Sequence, residues 1–387
     1  MRKRKVVALS VAFVITLITG CSHHNELASD TEVKISVAGI EGETKDTKRI
    51  VDLNSELSAH NERIDDYLKN TRPYGLFVKN DIIGLLIEDY DANFIVLTDF
   101  EGSVINKIEI PFRRSVYYEN IEVYDEGIVL HGENNDICFF DISTTELTEI
   151  EIPDSIASKM DIHNQFTYLP KKKAIAYASE DGALYLYKNE QEHLLYQGDI
   201  SNPNSFIPCE VKGAYDQNRL MICGYINDTD SKTGYCYECI GLYDLETDEM
   251  EWKKSNNERM ISTANADIFC LSSGGSLIQG NEIGNVYTIL PTGELTVKMD
   301  IASAENIVDY IPAHKSFLCV KRFERGSVYM IDKEGKIENI DIGYDCPDLA
   351  AVNEEGSAIV VTAIIADDKK EGFASILYVG KLGGKDE

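Results

Sequence analysis

Basic residues are scarce in this chain: 37 Lys and Arg stand against 66 Asp and Glu, and four of the 37 fall within the first five residues. Partners that need a basic footprint, nucleic acid and anionic lipid surfaces, are therefore excluded. The seven histidines are scattered, and no Gly-x-Ser-x-Gly, His-Glu-x-x-His or glycine-rich phosphate loop occurs. No catalytic residue is nominated on that basis, and no cofactor is expected. From Tyr74 onward amphipathic helices are missing as well, which argues against an α/β substrate-binding protein. Long apolar runs are absent apart from Val6 to Ile18, which is too short to span a bilayer.

That short run is part of an export signal. Arg2, Lys3, Arg4 and Lys5 form a basic leader, the apolar segment follows, and Ile18-Thr19-Gly20-Cys21 closes it with small residues before a cysteine. The tetrapeptide resembles the lipobox of bacterial lipoproteins. The resemblance implies cleavage before Cys21, acylation of its thiol, and attachment to the membrane with the protein facing outward; two acyl chains hold far more firmly than one. Without the leader, 33 Lys and Arg remain against 66 acidic residues in a chain of 367.

Eight further cysteines follow Cys21. Cys138, Cys223, Cys270 and Cys319 lie inside apolar runs, where cysteine acts as a small hydrophobe, and a chain this long does not need disulfides to build a core. Cys236-Tyr-Glu-Cys239 has zinc-knuckle spacing but lacks the other two ligands, so no metal is expected. Asp89-Tyr-Asp91 and Asp228-Thr-Asp230 begin like calcium loops, yet Phe94 and Lys232 stand where glycine and a ligand belong; both read as Asx-type turns.

What fills the chain instead is a repeat. An apolar strand ending in a polar turn recurs seven times, as in Ile95-Val-Leu-Thr-Asp99, Ile137-Cys-Phe-Phe-Asp141, Ile240-Gly-Leu-Tyr-Asp244 and Val328-Tyr-Met-Ile-Asp332. Successive turns are 42, 47, 56, 47, 41 and 48 residues apart. An apolar strand precedes each copy and an alternating strand follows most of them, so the unit is a four-stranded antiparallel meander. The rhythm resembles WD40-like and YVTN-like bacterial β-propellers, and Tyr243 to Trp252 is similar to one repeat of the quinoprotein type. The resemblance implies an all-β, seven-bladed β-propeller and carries no functional residue across, because the Trp-Asp and Gly-His signatures are missing.

Only five residues follow the last such strand, Ile376 to Leu382, so another segment must supply the outer strand of the last blade. Glu32 to Ile40 alternates with period two and is assigned to that role, closing the ring; Asp52 to Leu68 carries the one helical pattern. The expected organisation is a signal peptide (1–20), a lipidated tether (21–31), a closing strand with a helical connection (32–73) and the propeller (74–387).

Function is expected on one face. The tight turns after each repeat mark a plain face, and the longer connections in blades 4, 5 and 7 fall on the other: Asn227 to Tyr237, Ser272 to Asn285 and Ala366 to Phe373. Tyr235, Tyr237 and Phe373 would give apolar contact area, with Asp228, Asp230, Asp367 and Asp368 favouring a basic or hydroxyl-rich partner. Arg113, Arg114, Tyr117 and Tyr118 lie on a neighbouring connection. The expectation is a non-catalytic binder of an extracytoplasmic protein, peptide or glycan. Its rival is an enzyme acting on polysaccharide or cell-wall material, with carboxylates converging in the central funnel.

Overall fold

A computed structural model describes residues 36–39, 49–50, 64–68 and most of 71–382, apart from 90–91, 114–120, 133–134, 161–165, 203, 215, 227–238, 255–257, 264, 273–282, 291–292, 301–305, 323–325, 345 and 368–371. The fold is all-β. Six four-stranded antiparallel sheets follow one another along the chain, and a seventh sheet has five strands.

Each of the six is a plain up-and-down meander. The first sheet, for example, runs Pro73–Lys79, Ile82–Asp89, Ala92–Thr98 and Val104–Ile110, and the second Ile121–Val123, Gly127–His131, Ile137–Asp141 and Glu146–Glu149. The second strand of a sheet is buried along most of its length on both faces and the third is buried or half-buried, which is why they read as apolar runs rather than as alternation. Ala174–Ala178 is buried at every position, whereas the outermost strand Val104–Ile110 alternates between half-buried and exposed up to its last residue.

Opposite faces of one strand serve different neighbours. Val361 and Tyr378 of the seventh sheet pack against Leu318, Val328 and Met330 of the sixth, while Val360 and Leu377 pack against Val78, Ile83, Leu85 and Val96 of the first. The first sheet packs on the second through Phe77, Leu97, Val123 and Phe140, the second on the third through Val129, Phe166 and Tyr177, and the third on the fourth through Leu184, Phe206 and Leu220. A one-residue register slip in such a strand would exchange its two neighbours' contacts, so register is strongly specified.

The repeated Asp at the end of the third strand has a local cause. Asp99, Asp141, Asp244 and Asp332 each accept backbone N–H groups of the turn they open, at 2.7 Å from Ser103, 2.8 Å from Ser143, 2.8 Å from Glu246 and 2.8 Å from Lys336. In two of these turns glycine supplies the left-handed residue, Gly102 at φ 83° and Gly335 at φ 80°.

The seventh sheet joins both parts of the chain. Pro347–Val352, Ala358–Asp367 and Gly372–Lys381 are antiparallel, and Ser36–Gly39 adds in parallel to the last of them, Ser36 opposite Tyr378 and Gly39 opposite Lys381. The closing-strand assignment of Glu32 to Ile40 falls on this pairing, with 32–35 and 40 outside the described residues. Arg49–Ile50 adds a fifth strand that the sequence does not announce. Of the expected helix, Ile64–Leu68 is described; Ile64 and Leu68 are fully buried between the first and seventh sheets, and the Ile64 N–H donates to Gly102 O. A second short helix, Asp154–Ala157, lies in the connection to the third sheet.

Candidate functional site at the inner strands

The first strand of each meander lies at one edge of its sheet, here termed the inner edge, flanked by two connections: the chain enters at what is here termed the upper end and turns into the second strand at the lower end. Meander topology puts the hairpins between second and third strands at the upper end too.

At the lower end the polar groups tie sheet to sheet. Lys79, 2 % exposed, reaches Glu354 at 2.7 Å and Asp125 at 3.5 Å, joining the first sheet to turns of the seventh and second. Gln217 donates to Glu126 at 2.6 Å and accepts from the Lys171 N–H at 2.8 Å, linking turns of the second, third and fourth. Asp309 is completely buried; it accepts the N–H of Val352 at 3.0 Å and of Tyr310 at 2.8 Å, while Asn265 donates to it at 3.4 Å and to Val352 O at 3.3 Å. Burial pushes the Asp309 carboxyl up to about 6, because those donated hydrogen bonds do not fully replace lost hydration.

Midway along the inner strands sits a second knot. Glu122 is 1 % exposed and accepts from Tyr124 Oη at 2.6 Å, Thr167 Oγ1 at 2.5 Å and His131 Nε2 at 2.8 Å. A carboxylate can only accept, so Nε2 of His131 carries the proton; Nδ1 is buried without a partner. Burial opposes ionisation of Glu122, but the hydrogen bond and charge of His131, the charge of Lys212 and the Thr167 hydroxyl outweigh it and hold the carboxyl below its ordinary range.

The upper end differs. Four inner strands carry a bulge just after they begin, with Tyr74, Cys209, Val308 and Asp348 as the extra residues, and in three of them a proline immediately precedes: Pro73, Pro208 and Pro347. Proline cannot donate to a ladder, and a bulge re-aims its side chain. Asp348, 3 % exposed, is thereby held by Arg72 in a bidentate pair, Nε to Oδ2 at 2.7 Å and Nη2 to Oδ1 at 2.6 Å, which raises the Arg72 pKa. Arg322, just beyond Ser316–Lys321 of the sixth sheet, donates Nε to the main-chain oxygen of the same residue at 2.9 Å.

The residues expected to recognise a partner fall mostly outside this description. Cys21, Tyr117, Tyr118, Asp228, Asp230, Tyr235, Tyr237 and Asp368 lie outside the described residues. Asp367 and Phe373 lie near the tip of the seventh sheet's hairpin, one residue in register with Gly372 and the other with Ala366. Much of the extra length there is therefore strand rather than loop: both strands run ten residues and only 368–371 remain between them. Cys138, Cys223 and Cys319 are buried as expected, and burial, then Glu149 and Asp136, push the Cys138 thiol up to about 12. Among the described residues no group of three or more His, Cys, Asp or Glu could hold a metal. Glu122 and Asp348 on the inner strands, with their partners His131 and Arg72, escaped the sequence reading; the recurring proline at the start of an inner strand was the available signal for Asp348.

No family model matches the chain, and no curated protein matches it. Solved structures similar to it include an oligogalacturonate lyase from Vibrio parahaemolyticus (14 % identity, 78 % of this chain and 80 % of that one, TM-score 0.42). A β-propeller domain of Cps50 (Swd1) from Myceliophteria thermophila is also similar (10 % identity, 79 % and 98 % covered, TM-score 0.44), as is a prolyl endopeptidase (7 % identity, 84 % and 52 % covered, TM-score 0.48).

Proposed function

We propose that this protein is a lipid-anchored, extracytoplasmic β-propeller of seven blades that binds a protein, peptide or glycan at its upper face and performs no chemistry itself. Repetition of one meander, with the seventh sheet packed on the first, supports the closed ring. The resemblance of Ile18-Thr19-Gly20-Cys21 to a lipobox supports the anchor. The observation that carries the binding reading is the difference between the two ends: at the lower end Lys79, Gln217 and Asp309 are consumed in contacts between sheets, whereas the upper end carries the extended hairpins. The rival enzyme reading draws on the convergence of Glu122 and His131. Both are buried, and Glu122 already accepts three hydrogen bonds, which favours a structural role.

Affinity capture from detergent-solubilised envelope, repeated with 227–238 shortened to a tight turn, tests the proposal. Loss of the captured partner with an unchanged melting temperature is expected. Retention after shortening this hairpin together with 273–282 and 368–371 would move recognition elsewhere.

A further inference from the structure

Arg72 and Arg322 come from sheets on either side of the seventh, and both are hydrogen-bonded to one residue, Asp348. Arg72 takes the carboxylate and Arg322 the main-chain oxygen. Among the described residues, two guanidinium charges thus stand within the span of a single residue against one buried carboxylate, in a chain whose net charge is −29. Such an arrangement is not needed to neutralise Asp348, whose side chain is 4 % exposed and already paired bidentately. Arg72 keeps 43 % of its side chain exposed, and Arg322 and the adjacent Lys321 are exposed as well. Among the described residues Arg72 Nη1 and both terminal nitrogens of Arg322 have no hydrogen-bond partner.

We infer that Arg72 and Arg322 form an anion subsite at the upper end, for a carboxylate or phosphate group. Asp348 organises it: its carboxylate fixes the plane of Arg72, its carbonyl fixes the Nε of Arg322, and the bulge at Asp348 puts both acceptors on the inner edge. The planar fork of guanidinium suits a two-oxygen anion, and fixing each Nε in advance lowers the entropy lost on binding. The surrounding excess of acidic residues repels polyanions from other surfaces, so the subsite selects where such a group docks. This names the partner chemistry for the face assigned under the proposed function and rests on that assignment only for its biological use; anion binding by the two arginines is measurable without any partner.

The test is isothermal titration of the full chain in detergent at low ionic strength with two probes, pyrophosphate for the phosphate source and citrate for the carboxylate source. Saturable binding of at least one probe is expected. Arg322→Gln should weaken it about tenfold or more, since a charge-assisted contact is lost while the Arg72 to Asp348 pair and the melting temperature stay intact. Lys336→Gln, in a turn at the lower end, should bind like the parent. Absence of saturable binding for both probes, or equal affinity of Arg322→Gln and the parent, would overturn the subsite. If the anions bind but hairpin shortening leaves partner capture intact, only the location assigned to the natural partner fails.

Discussion

Replacing Glu122 by Leu should destabilise the fold far more than replacing Glu122 and His131 together. In the single variant, Tyr124 Oη and Thr167 Oγ1 still bond each other at 3.2 Å, so the penalty concentrates on His131, left with both ring nitrogens buried and unmatched. In His131→Leu the converse holds: a carboxylate remains at 1 % exposure without its strongest partner. Removing one side of a buried pair costs about 3 to 5 kcal/mol, and replacing both by apolar groups of similar size is often close to neutral. Each single variant should therefore lose about 3 kcal/mol, whereas the double variant should lose only about 1 kcal/mol, less than either single variant. Urea unfolding followed by far-UV circular dichroism measures the cycle. The Glu122 pKa is depressed in the fold, so its contribution is present above the unfolded value of about 4.3 and is lost as pH falls through the folded one. The parent should lose stability below about pH 4 more steeply than the double variant. Strictly additive losses, or parallel acid profiles, would refute the interaction described between Glu122 and His131.

Asp309 has the opposite sign: its carboxyl is raised to about 6, so its contribution is full below the unfolded value near 4 and declines as pH rises through 6. Asp309→Asn should flatten the pH dependence of the melting temperature between about 4 and 6, and an unaltered profile would contradict its burial. Gly224→Ala would place a methyl group 2.2 Å from the Ile207 carbonyl oxygen and 2.5 Å from the Phe206 ring; a loss of about 1 to 3 kcal/mol is expected, with an altered emission of Trp252, which stacks on Phe206 at 5.8 Å. Cys21→Ala should move the protein from the detergent phase to the aqueous phase or leave its leader uncleaved, and unchanged partitioning would remove the anchor.

The strands were legible because burial leaves a continuous apolar run, and because a polar turn, opened by Asp in four of the seven copies, marks where the run stops. The seven repeats and their spacing rest on those apolar runs and turns. Ser36–Gly39 was legible by subtraction, since the last meander lacked an outer strand. What sequence could not supply was pairing across sheets. Glu122 sits in a three-residue strand, Ile121–Val123, with no periodicity to distinguish it, and its partner Thr167 lies 45 residues away. Asp348 was hidden for a related reason: a bulge breaks the period-two pattern at the residue it re-aims. Arg72 and Asp348 are 276 residues apart, a juxtaposition that exists only because the seventh sheet packs on the first.

The parallel strand at Ser36–Gly39 also constrains the order in which the molecule can be made. Its partner residues, Tyr378 to Lys381, are synthesised long after it, so Ser36–Gly39 must wait for them before it can pair. Bringing together ends 342 residues apart costs roughly 5 kcal/mol of chain entropy by the logarithmic law, a cost that shrinks once the intervening sheets have stacked and carried the ends near each other. Until then Gly372–Lys381 presents an open ladder of donors and acceptors at the outside of the nascent protein, the condition under which two copies exchange their leading strands. Under the anchor proposed above, tethering each copy by Cys21, close to the strand that must return, would raise the local concentration of the correct strand over any neighbour's.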